Sequence, residues 1–379
     1  MRLLFLRLFL GTAAVESSVS LCRLFLGRLC VFLVLQSLES SFSLKIMVHG
    51  LFSYVANNKD ADVKLMRTKA TMCSACKRRE AFYYRPYSGE RLCRRCFGES
   101  VEAKVRGTIA RYGMFSFNDR IAVAVSGGKD SISLLNVLVK MERFRPKASL
   151  VAVTVDEGIK GYRDEALEIA EAHCEKLGVA HHTVSFKKLY GFTLDEIVAR
   201  KRRKGEKELT SCAYCGVLRR RALNVAAREV EASKIATAHT LDDEVQTILL
   251  NIFHGDVARL AKEKPVTDDV HKRFVQKVKP FCEVPERESA LYAYVKRVPF
   301  QSTPCPYASE ALRNDVRVML NRMEEKHAGT KFTVFNSFER IRSALNGISK
   351  NGQFAECVEC GEPAAQGLCK VCQMLKEVR

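Results

Sequence analysis

The 379-residue sequence is short of acidic residues: 43 Asp and Glu stand against 62 Lys and Arg, which gives a formal net charge of +19. Clustered cations suit phosphates, so this imbalance favours a polyanionic partner, although a solubilising basic surface would give the same count. Tryptophan is absent, and this absence excludes nothing. Hydrophobic residues make up 47% and charged residues 28%, which is typical of a globular protein of two or three units.

The sequence also lacks a long uninterrupted apolar run. Its first part is rich in Leu and Phe, but Arg23 and Arg28 interrupt it, so no membrane-spanning helix is expected. A signal peptide would conflict with a chain built around thiolate metal sites. We expect residues 1–65 to be a hydrophobic extension outside the mature fold, with translation starting at Met66 or Met72.

Cysteine, by contrast, is abundant: the sequence has 15, and ten of them form five Cys-x2-Cys pairs. Such pairs are typical of metal ligation, because two thiolates separated by one turn can share an ion. We therefore expect a reducing, cytoplasmic compartment. Two pairs at each end predict zinc ribbons over residues 66–104 and 346–379, each holding one Zn²⁺. The predicted ligands are Cys73, Cys76, Cys93, Cys96, Cys357, Cys360, Cys369 and Cys372.

A glycine-rich turn follows a short apolar run in the middle of the chain. Residues 121–125 are typical of a buried parallel strand, and a helix is predicted over 132–141. The turn between them suits phosphate binding at a helix N-terminus and does not match the Walker A pattern. Its sequence, Ser-Gly-Gly-Lys-Asp-Ser, is the PP-loop signature of enzymes that cleave ATP to AMP and pyrophosphate. The predicted ATP ligands are Ser126, Gly127, Gly128, Lys129, Asp130 and Ser131.

Strands and helices alternate along residues 105–345, which predicts an α/β fold with a doubly wound parallel sheet of the PP-loop, adenine nucleotide alpha hydrolase-like type. The further strands are predicted at 150–155, 181–185 and 234–238.

Ligands bind beyond the carboxyl ends of such strands, so the loops that start at Ser126, Asp156 and His239 should face one site. Asp242 or Asp243 could hold Mg²⁺ there. Alternatively, both carboxylates stabilise the first turn of the next helix.

Three further cysteines have a distinctive context. Cys212 and Cys215 form a pair between a basic loop and a helix predicted to start near Val217, and Cys305 lies in a Pro-Cys-Pro-Tyr stretch. Three thiolates are one short of a closed zinc site. A [4Fe–4S] cluster with three Cys ligands would instead leave one iron open for sulfide. The alternative is ordinary buried thiols with a redox pair.

In this order the motifs resemble the TtuA/NcsA family of tRNA 2-thiouridine synthetases, which includes the cytoplasmic wobble-uridine thiolases of eukaryotes. The resemblance runs from about residue 72 to residue 378. Besides the PP-loop, the cysteines and both ribbons, it includes residues 156–164, 190–197 and 239–244.

The resemblance implies ATP with Mg²⁺ at the PP-loop and a [4Fe–4S] cluster on Cys212, Cys215 and Cys305. Backbone contacts to the nucleotide are implied for Ala124, Val155 and Ala238, and further ATP contacts for Arg219 and Asp243. The implied catalytic residues are Lys129, Asp130, Asp243 and Arg219. This sequence departs from the family where Arg219 replaces a common Lys and where Ala-His-Thr at 238–240 replaces Gly-His-Asn.

The implied activity is adenylation of a tRNA uridine by ATP, followed by replacement of its C2 oxygen with sulfur. The family's partners are tRNA and a sulfur donor, either a ubiquitin-like protein thiocarboxylate or free sulfide, and no membrane; members are commonly homodimers. The wobble uridine is slightly favoured over the T-loop uridine. The alternatives are a 2-thiocytidine-type or lysidine-type PP-loop tRNA enzyme and a non-enzymatic zinc-ribbon RNA-binding protein.

Overall fold

The structure is a computed structural model that describes residues 71–142, 149–204, 210–307, 313–345 and 354–379. The predicted extension and the possible start at Met66 lie outside these residues. Within the part of the chain that the structure describes, no helix combines the length and the apolar character needed to cross a membrane.

The described elements are short strands and mostly longer helices. The strands are β1 (Tyr83–Arg85), β2 (Glu90–Leu92), β3 (Arg120–Ala124), β4 (Ser149–Asp156), β5 (Ala180–Ser185), β6 (Lys234–Ala236), β7 (Gln276–Val278), β8 (Ala355–Glu356) and β9 (Pro363–Ala364). The helices are α1 (Arg94–Arg111), α2 (Lys129–Glu142), α3 (Arg163–Leu177), α4 (Phe186–Tyr190), α5 (Leu194–Lys204), α6 (Ser211–Glu229), α7 (Leu241–Phe253), α8 (Val257–Ala261), α9 (Glu286–Lys296), α10 (Arg313–Lys326), α11 (Thr330–Leu345) and α12 (Lys370–Val378).

The central sheet has five parallel strands in the order β5-β4-β3-β6-β7. The chain moves outward from β3 to β5 and then returns to the other side of β3 with β6. This change of direction opens a crevice beyond the carboxyl ends of β3 and β6, where doubly wound folds bind their ligands. The predicted fold class is therefore confirmed.

Several boundaries differ from the sequence-based predictions: α2 begins three residues earlier than expected, and the ends of β3, β4 and β5 differ by one residue. The helix expected near Val217 begins at Ser211, because the Thr210 side chain accepts a hydrogen bond from Ala213 N and caps it. The prediction that the inner cysteine pair precedes this helix is therefore wrong, and both cysteines lie within the first two turns of α6. The strand expected over 234–238 ends at Ala236.

Each face of the sheet packs against its own hydrophobic core. Along β3, Ile121 and Val123 belong to one core while Ala122 belongs to the other, as the alternation of side chains along a strand requires. The first core includes Phe97 of the N-terminal ribbon region, and the second includes Met374 of the C-terminal one. The two ribbons therefore pack on opposite faces of the sheet.

Each ribbon contains a two-stranded antiparallel hairpin, β1 with β2 and β8 with β9. The turn of the first hairpin includes Gly89, which adopts a positive φ (72°) that glycine tolerates without strain. Helix α1 runs without a break across the predicted boundary at residues 104 and 105. The ribbon and the central domain thus share a helix, and the predicted domain boundaries stay predictions.

Candidate functional site

The PP-loop forms a closed turn between β3 and α2. Ser126 N donates a hydrogen bond to Ser131 Oγ (3.1 Å), and Ser131 Oγ donates to the carbonyl of Gly128 (2.9 Å). Gly127 has a φ of 83°, and a Cβ at this position would lie 2.4 Å from the carbonyl oxygen of Ala166. Only glycine fits there. The turn leads into the N-terminus of α2, where free backbone N–H groups attract phosphate.

Lys129, the first residue of α2, lies between two carboxylates. Its Nζ is 2.9 Å from Asp130 Oδ2 and 2.7 Å from Glu286 Oε1. Burial alone would lower the pKa of Lys129, but Asp130 and Glu286 outweigh it and raise the pKa above its ordinary value. The lysine is therefore a fixed positive charge beside the loop. Glu286 belongs to no motif, and no local signal in the sequence identifies it.

The two aspartates at the start of α7 have different surroundings. Asp242 is buried, accepts a hydrogen bond from Glu286 N (2.7 Å) and pairs with Lys331. Asp243 accepts hydrogen bonds from Thr240 N and Thr240 Oγ1 (both 2.9 Å), and the two residues form a capping box. Asp242 is thus a structural residue. The side chain of Asp243 is 38% exposed, and its Oδ1 lies 3.8 Å from Arg313.

Arg163 joins the PP-loop to the loop after β4. Its guanidinium donates to the carbonyls of Ser126 (2.9 Å) and Val155 (2.7 Å), and its Nε lies 2.8 Å from Glu157 Oε2. Arg163 and Glu157 are both buried. The side chain therefore holds the ends of β3 and β4 in register around the crevice. Its only sequence signal is its place within the 156–164 motif, because its partners lie on two separate loops.

The segment that carries Cys305 runs over the PP-loop. Gln301 N donates to the carbonyl of Gly127 (2.9 Å), and the Tyr307 hydroxyl donates to Asp195 Oδ1 of α5 (2.7 Å). The Tyr307 carbonyl accepts a hydrogen bond from Cys212 Sγ (3.4 Å). These hydrogen bonds link the segment that carries Cys305 to the PP-loop at one end and to Cys212 at the other.

The inner cysteines form a set of three thiols with one buried member. Cys212 is exposed and Cys305 half-buried, whereas burial raises the pKa of Cys215 to about 11, with Arg219 opposing that rise. Among the described residues, only the two ribbon groups bring three or more possible metal ligands within 4.8 Å of one another. Within the described residues, the three inner Sγ atoms therefore do not form such a compact group. A cubane cluster fits this set better, because it binds each thiolate through a different iron.

Arg219 lies one turn after Cys215 on α6. Its Nη1 is 3.6 Å from Glu157 Oε1, and 48% of the side chain is exposed. Burial opposes its charge, but Cys215 and Glu157 together raise its pKa. Arg219 therefore stands as a permanent cation between the thiols and the loop after β4. The predicted backbone contacts Ala124, Val155 and Ala238 lie at or next to strand ends, and the Val155 carbonyl already accepts a hydrogen bond from Arg163.

The eight ribbon cysteines form two compact groups. In each group the four Sγ atoms lie within 4.8 Å of one another. Burial would raise the pKa of Cys73 and of Cys357, yet backbone N–H groups that point at each sulfur lower both values to about 6. Burial and neighbouring thiols instead raise the pKa of Cys96 and of Cys372. The knuckle N–H groups thus favour the thiolate, the form that binds metal, at Cys73 and Cys357. Both groups can therefore hold a metal ion.

Comparisons with known proteins agree with this geometry. A family profile described as PP-loop domain matches residues 99–324. The chain is 34% identical over 322 residues to the tRNA 2-thiolation protein NcsA of Haloferax volcanii, covering 81% of this chain and 98% of that one. It is 37% identical over 306 residues to cytoplasmic tRNA 2-thiolation protein 1 of Chlamydomonas reinhardtii, covering 80% and 84%.

A solved structure is similar as well. The U34-tRNA thiolase NcsA from Methanococcus maripaludis with its [4Fe-4S] cluster superposes with a TM-score of 0.70 at 32% identity. The match covers 82% of this chain and 97% of that one. The resemblance inferred from the motifs is confirmed, and the chain belongs to the PP-loop family of tRNA 2-thiolation proteins.

Proposed function

We propose that this protein is an ATP-dependent tRNA sulfurtransferase that converts a tRNA uridine to 2-thiouridine. The observation that carries the proposal is the hydrogen-bonded link between the PP-loop and the segment of the inner thiols, from Gln301 N to the Gly127 carbonyl and from Cys212 Sγ to the Tyr307 carbonyl. An adenylation site and a sulfur site must face the same atom of the substrate, since one activates it and the other replaces it.

The proposed reaction has two steps. The uridine C2 oxygen attacks the α-phosphate of ATP and releases pyrophosphate, so C2 acquires a good leaving group. Sulfide then attacks C2, and AMP departs with the former C2 oxygen. A [4Fe–4S] cluster on Cys212, Cys215 and Cys305 would supply an open iron that carries the sulfide.

The chain's own residues supply binding and charge. The PP-loop N–H groups, Ser126, Ser131 and Lys129 hold the phosphates, while Asp130 keeps the lysine in place. Arg219 stays protonated, so it stabilises negative charge and transfers no proton.

Asp243 caps the helix through Oδ2, and its Oδ1, which lies 3.8 Å from Arg313 Nη1, would hold Mg²⁺ at the triphosphate. Each ribbon would hold one Zn²⁺. Ala124, Val155 and Ala238 would contact the nucleotide through their backbone.

The remaining proposals concern partners. The net charge of +19 supports tRNA as the substrate. The proposed target within the tRNA is the wobble uridine. The sulfur donor would be a ubiquitin-like protein thiocarboxylate or free sulfide, and the enzyme a cytoplasmic homodimer.

The test is an oxygen-free reaction with unmodified tRNA, ATP, Mg²⁺ and sulfide, read by nucleoside mass spectrometry and AMP release. We expect 2-thiouridine and AMP in equal amounts, and replacement of the wobble uridine by cytidine in the tRNA should abolish both. Lys129→Ala should lose activity by at least about 100-fold, whereas Lys187→Ala, at a lysine whose side chain is 58% exposed, should not change it. AMP release without a thionucleoside would favour the lysidine-type reading, and no AMP release at all would favour an RNA-binding protein.

A further inference from the structure

The N-terminal ribbon presents aromatic rings to solvent on one face of its hairpin. Side chains alternate along this segment, so Tyr83 and Arg85 are buried while Phe82 and Tyr84 point outward. Phe82 is 36% exposed and Tyr84 is 50% exposed. Contiguous exposed rings on one face are typical of a binding surface.

A ring of the central domain lies beside these rings, and arginine guanidinium groups lie against all three. Phe82 and Tyr294 of α9 lie nearly parallel, with 13° between their planes and 6.3 Å between their centroids. The Arg94 guanidinium carbon lies 4.8 Å from the Phe82 centroid and 5.8 Å from that of Tyr294. Arg91, opposite Tyr84 in the hairpin register, lies 5.0 Å from the Tyr84 centroid. We call these five residues the aromatic–arginine surface.

A buried ion pair holds this surface in place before any partner binds. Arg85, on the inner face of β1, donates to both carboxylate oxygens of Glu288 on α9 (2.8 and 3.1 Å), and the Tyr87 hydroxyl donates to the same carboxylate (2.6 Å). Glu288 is fully buried and Arg85 nearly so. The pair holds Phe82 of the ribbon against Tyr294 of the central domain. A partner would therefore meet a preorganised surface, which lowers the entropic cost of binding.

The charge around the surface favours a polyanion. Within the described part of the chain, no carboxylate forms an ion pair with Arg91 or Arg94. The adjacent Arg95, by contrast, pairs with Glu99, with 2.8 Å between Nε and Oε1. The neighbouring stretch of the ribbon adds three exposed cations, Lys77, Arg78 and Arg79. Flat rings and guanidinium planes stack on bases, and unpaired arginines attract phosphates, so this combination suits single-stranded nucleic acid.

Helix α9 connects this surface to the nucleotide site. Glu286, at its first turn, contacts Lys129 of the PP-loop, and Tyr294 follows eight residues later. Eight residues of α-helix span about 12 Å. This length corresponds to a few nucleotides of an unpaired RNA loop.

We propose that the aromatic–arginine surface stacks an unpaired base of the tRNA substrate, a few nucleotides from the uridine at the catalytic opening. This assignment rests on the proposed function for the identity of the RNA. It gives the N-terminal ribbon a direct contact with a base, through Phe82, Tyr294 and Arg94.

The first test measures tRNA binding by the full chain with Phe82 and Tyr294 both changed to Ala. We expect the Kd for tRNA to rise about 5- to 100-fold, the usual effect of losing base stacking. The Kd for ATP, the zinc content and the melting temperature should stay as in the wild type. Phe253→Ala is the matched control, because Phe253 is 57% exposed on α7 and lies outside the surface. An unchanged tRNA Kd in the double variant overturns the proposal.

The second test separates stacking from simple charge. Arg94→Lys keeps the charge but loses the planar guanidinium. We expect Arg94→Lys and Arg94→Ala to weaken tRNA binding by similar factors. Arg94 would instead be a phosphate contact if two results were found together: wild-type affinity in Arg94→Lys, and a salt dependence of binding lower by about one ion in Arg94→Ala. The stacking role would then be wrong.

Two further outcomes are distinguishable. A wild-type protein that binds tRNA through this surface but forms no 2-thiouridine contradicts the proposed function and leaves the surface assignment standing. Conversely, the double variant could keep its tRNA affinity and instead slow sulfur delivery by a ubiquitin-like thiocarboxylate. The surface would then dock a protein, and the assignment to RNA would be overturned.

Discussion

The two ribbons use the same four-cysteine plan and meet the rest of the molecule in different ways. The N-terminal ribbon has 16 residues between its pairs, which leaves room for an outward-facing hairpin, and it is anchored through the Arg85–Glu288 pair. The C-terminal ribbon has only 8 residues there and lies against α6, the helix that carries Cys212 and Cys215.

Several contacts join the C-terminal ribbon to α6. Arg221 Nη2 lies 3.6 Å from Cys360 Sγ, and Arg221 Nη1 lies 3.4 Å from Glu362 Oε2. Tyr214, between the two inner cysteines in sequence, donates its hydroxyl to Glu377 of α12 (2.6 Å) and accepts from Lys201 (2.9 Å). We infer that this ribbon braces the inner cysteines, whereas the N-terminal ribbon offers a surface. The difference follows from where each ribbon packs on the sheet and not from its metal-binding pattern.

The largest expected effect comes from breaking each metal group in turn. Cys357→Ser and Cys73→Ser should each lower the free energy of unfolding by about 4 kcal/mol or more, because each ribbon would lose the metal that we propose it holds. Only Cys357→Ser should also lower the iron content, since only that ribbon supports α6. Denaturant unfolding and iron analysis of both variants measure this. Equal loss of iron in the two variants would remove the distinction between the ribbons.

The next effect tests the anchor of the N-terminal ribbon. Arg85→Met leaves the Glu288 carboxylate, which is 0% exposed, without its main partner and should lower the free energy of unfolding by about 3–5 kcal/mol. Arg95→Met is the control, because its pair with Glu99 has side chains that are 66% and 52% exposed. That change should stay within about 1 kcal/mol. Similar small effects of both changes in denaturant unfolding would show that the anchor is not needed.

The smallest expected effect tests the contacts of Tyr214, through which the C-terminal ribbon supports α6. Tyr214→Phe removes the hydroxyl that links Lys201 to Glu377 and should lower the free energy of unfolding by about 1–2 kcal/mol. It should also shorten the lifetime of bound iron in a chelator, as followed by visible absorbance. Tyr84→Phe is the control, because its hydroxyl lies on an exposed ring. Equal iron lifetimes for wild type and Tyr214→Phe would mean that the brace does not reach the inner cysteines.

Local patterns predicted much of this architecture. The strand, turn and helix at the PP-loop, four strands of the sheet and both groups of ribbon cysteines follow from short stretches of sequence. The start of α6 was missed because a single capping residue, Thr210, decides it. Strand β7 has only three residues, Gln-Lys-Val, and shows no alternation that identifies a strand.

The rest of the site depends on partners that are distant in sequence. Glu286 contacts Lys129 across 157 residues, and Glu288 contacts Arg85 across 203 residues. Neither glutamate lies in a recognisable motif. For Asp242 the local pattern was ambiguous, because it made Asp242 and Asp243 equal candidates for Mg²⁺, while the fold buries Asp242 against Lys331. Pairings of this kind come from the packing of helices, which a single sequence does not display.

The central claim is that three inner cysteines do chemistry while the eight ribbon cysteines hold structure. The most direct measurement is iron, acid-labile sulfide and zinc in the full chain purified without oxygen, for the wild type and for Cys305→Ala. We predict about four irons and about two zincs per chain in the wild type. Cys305→Ala should lose the iron and keep the zinc. Zinc without iron in the wild type, unchanged by Cys305→Ala, would contradict the account.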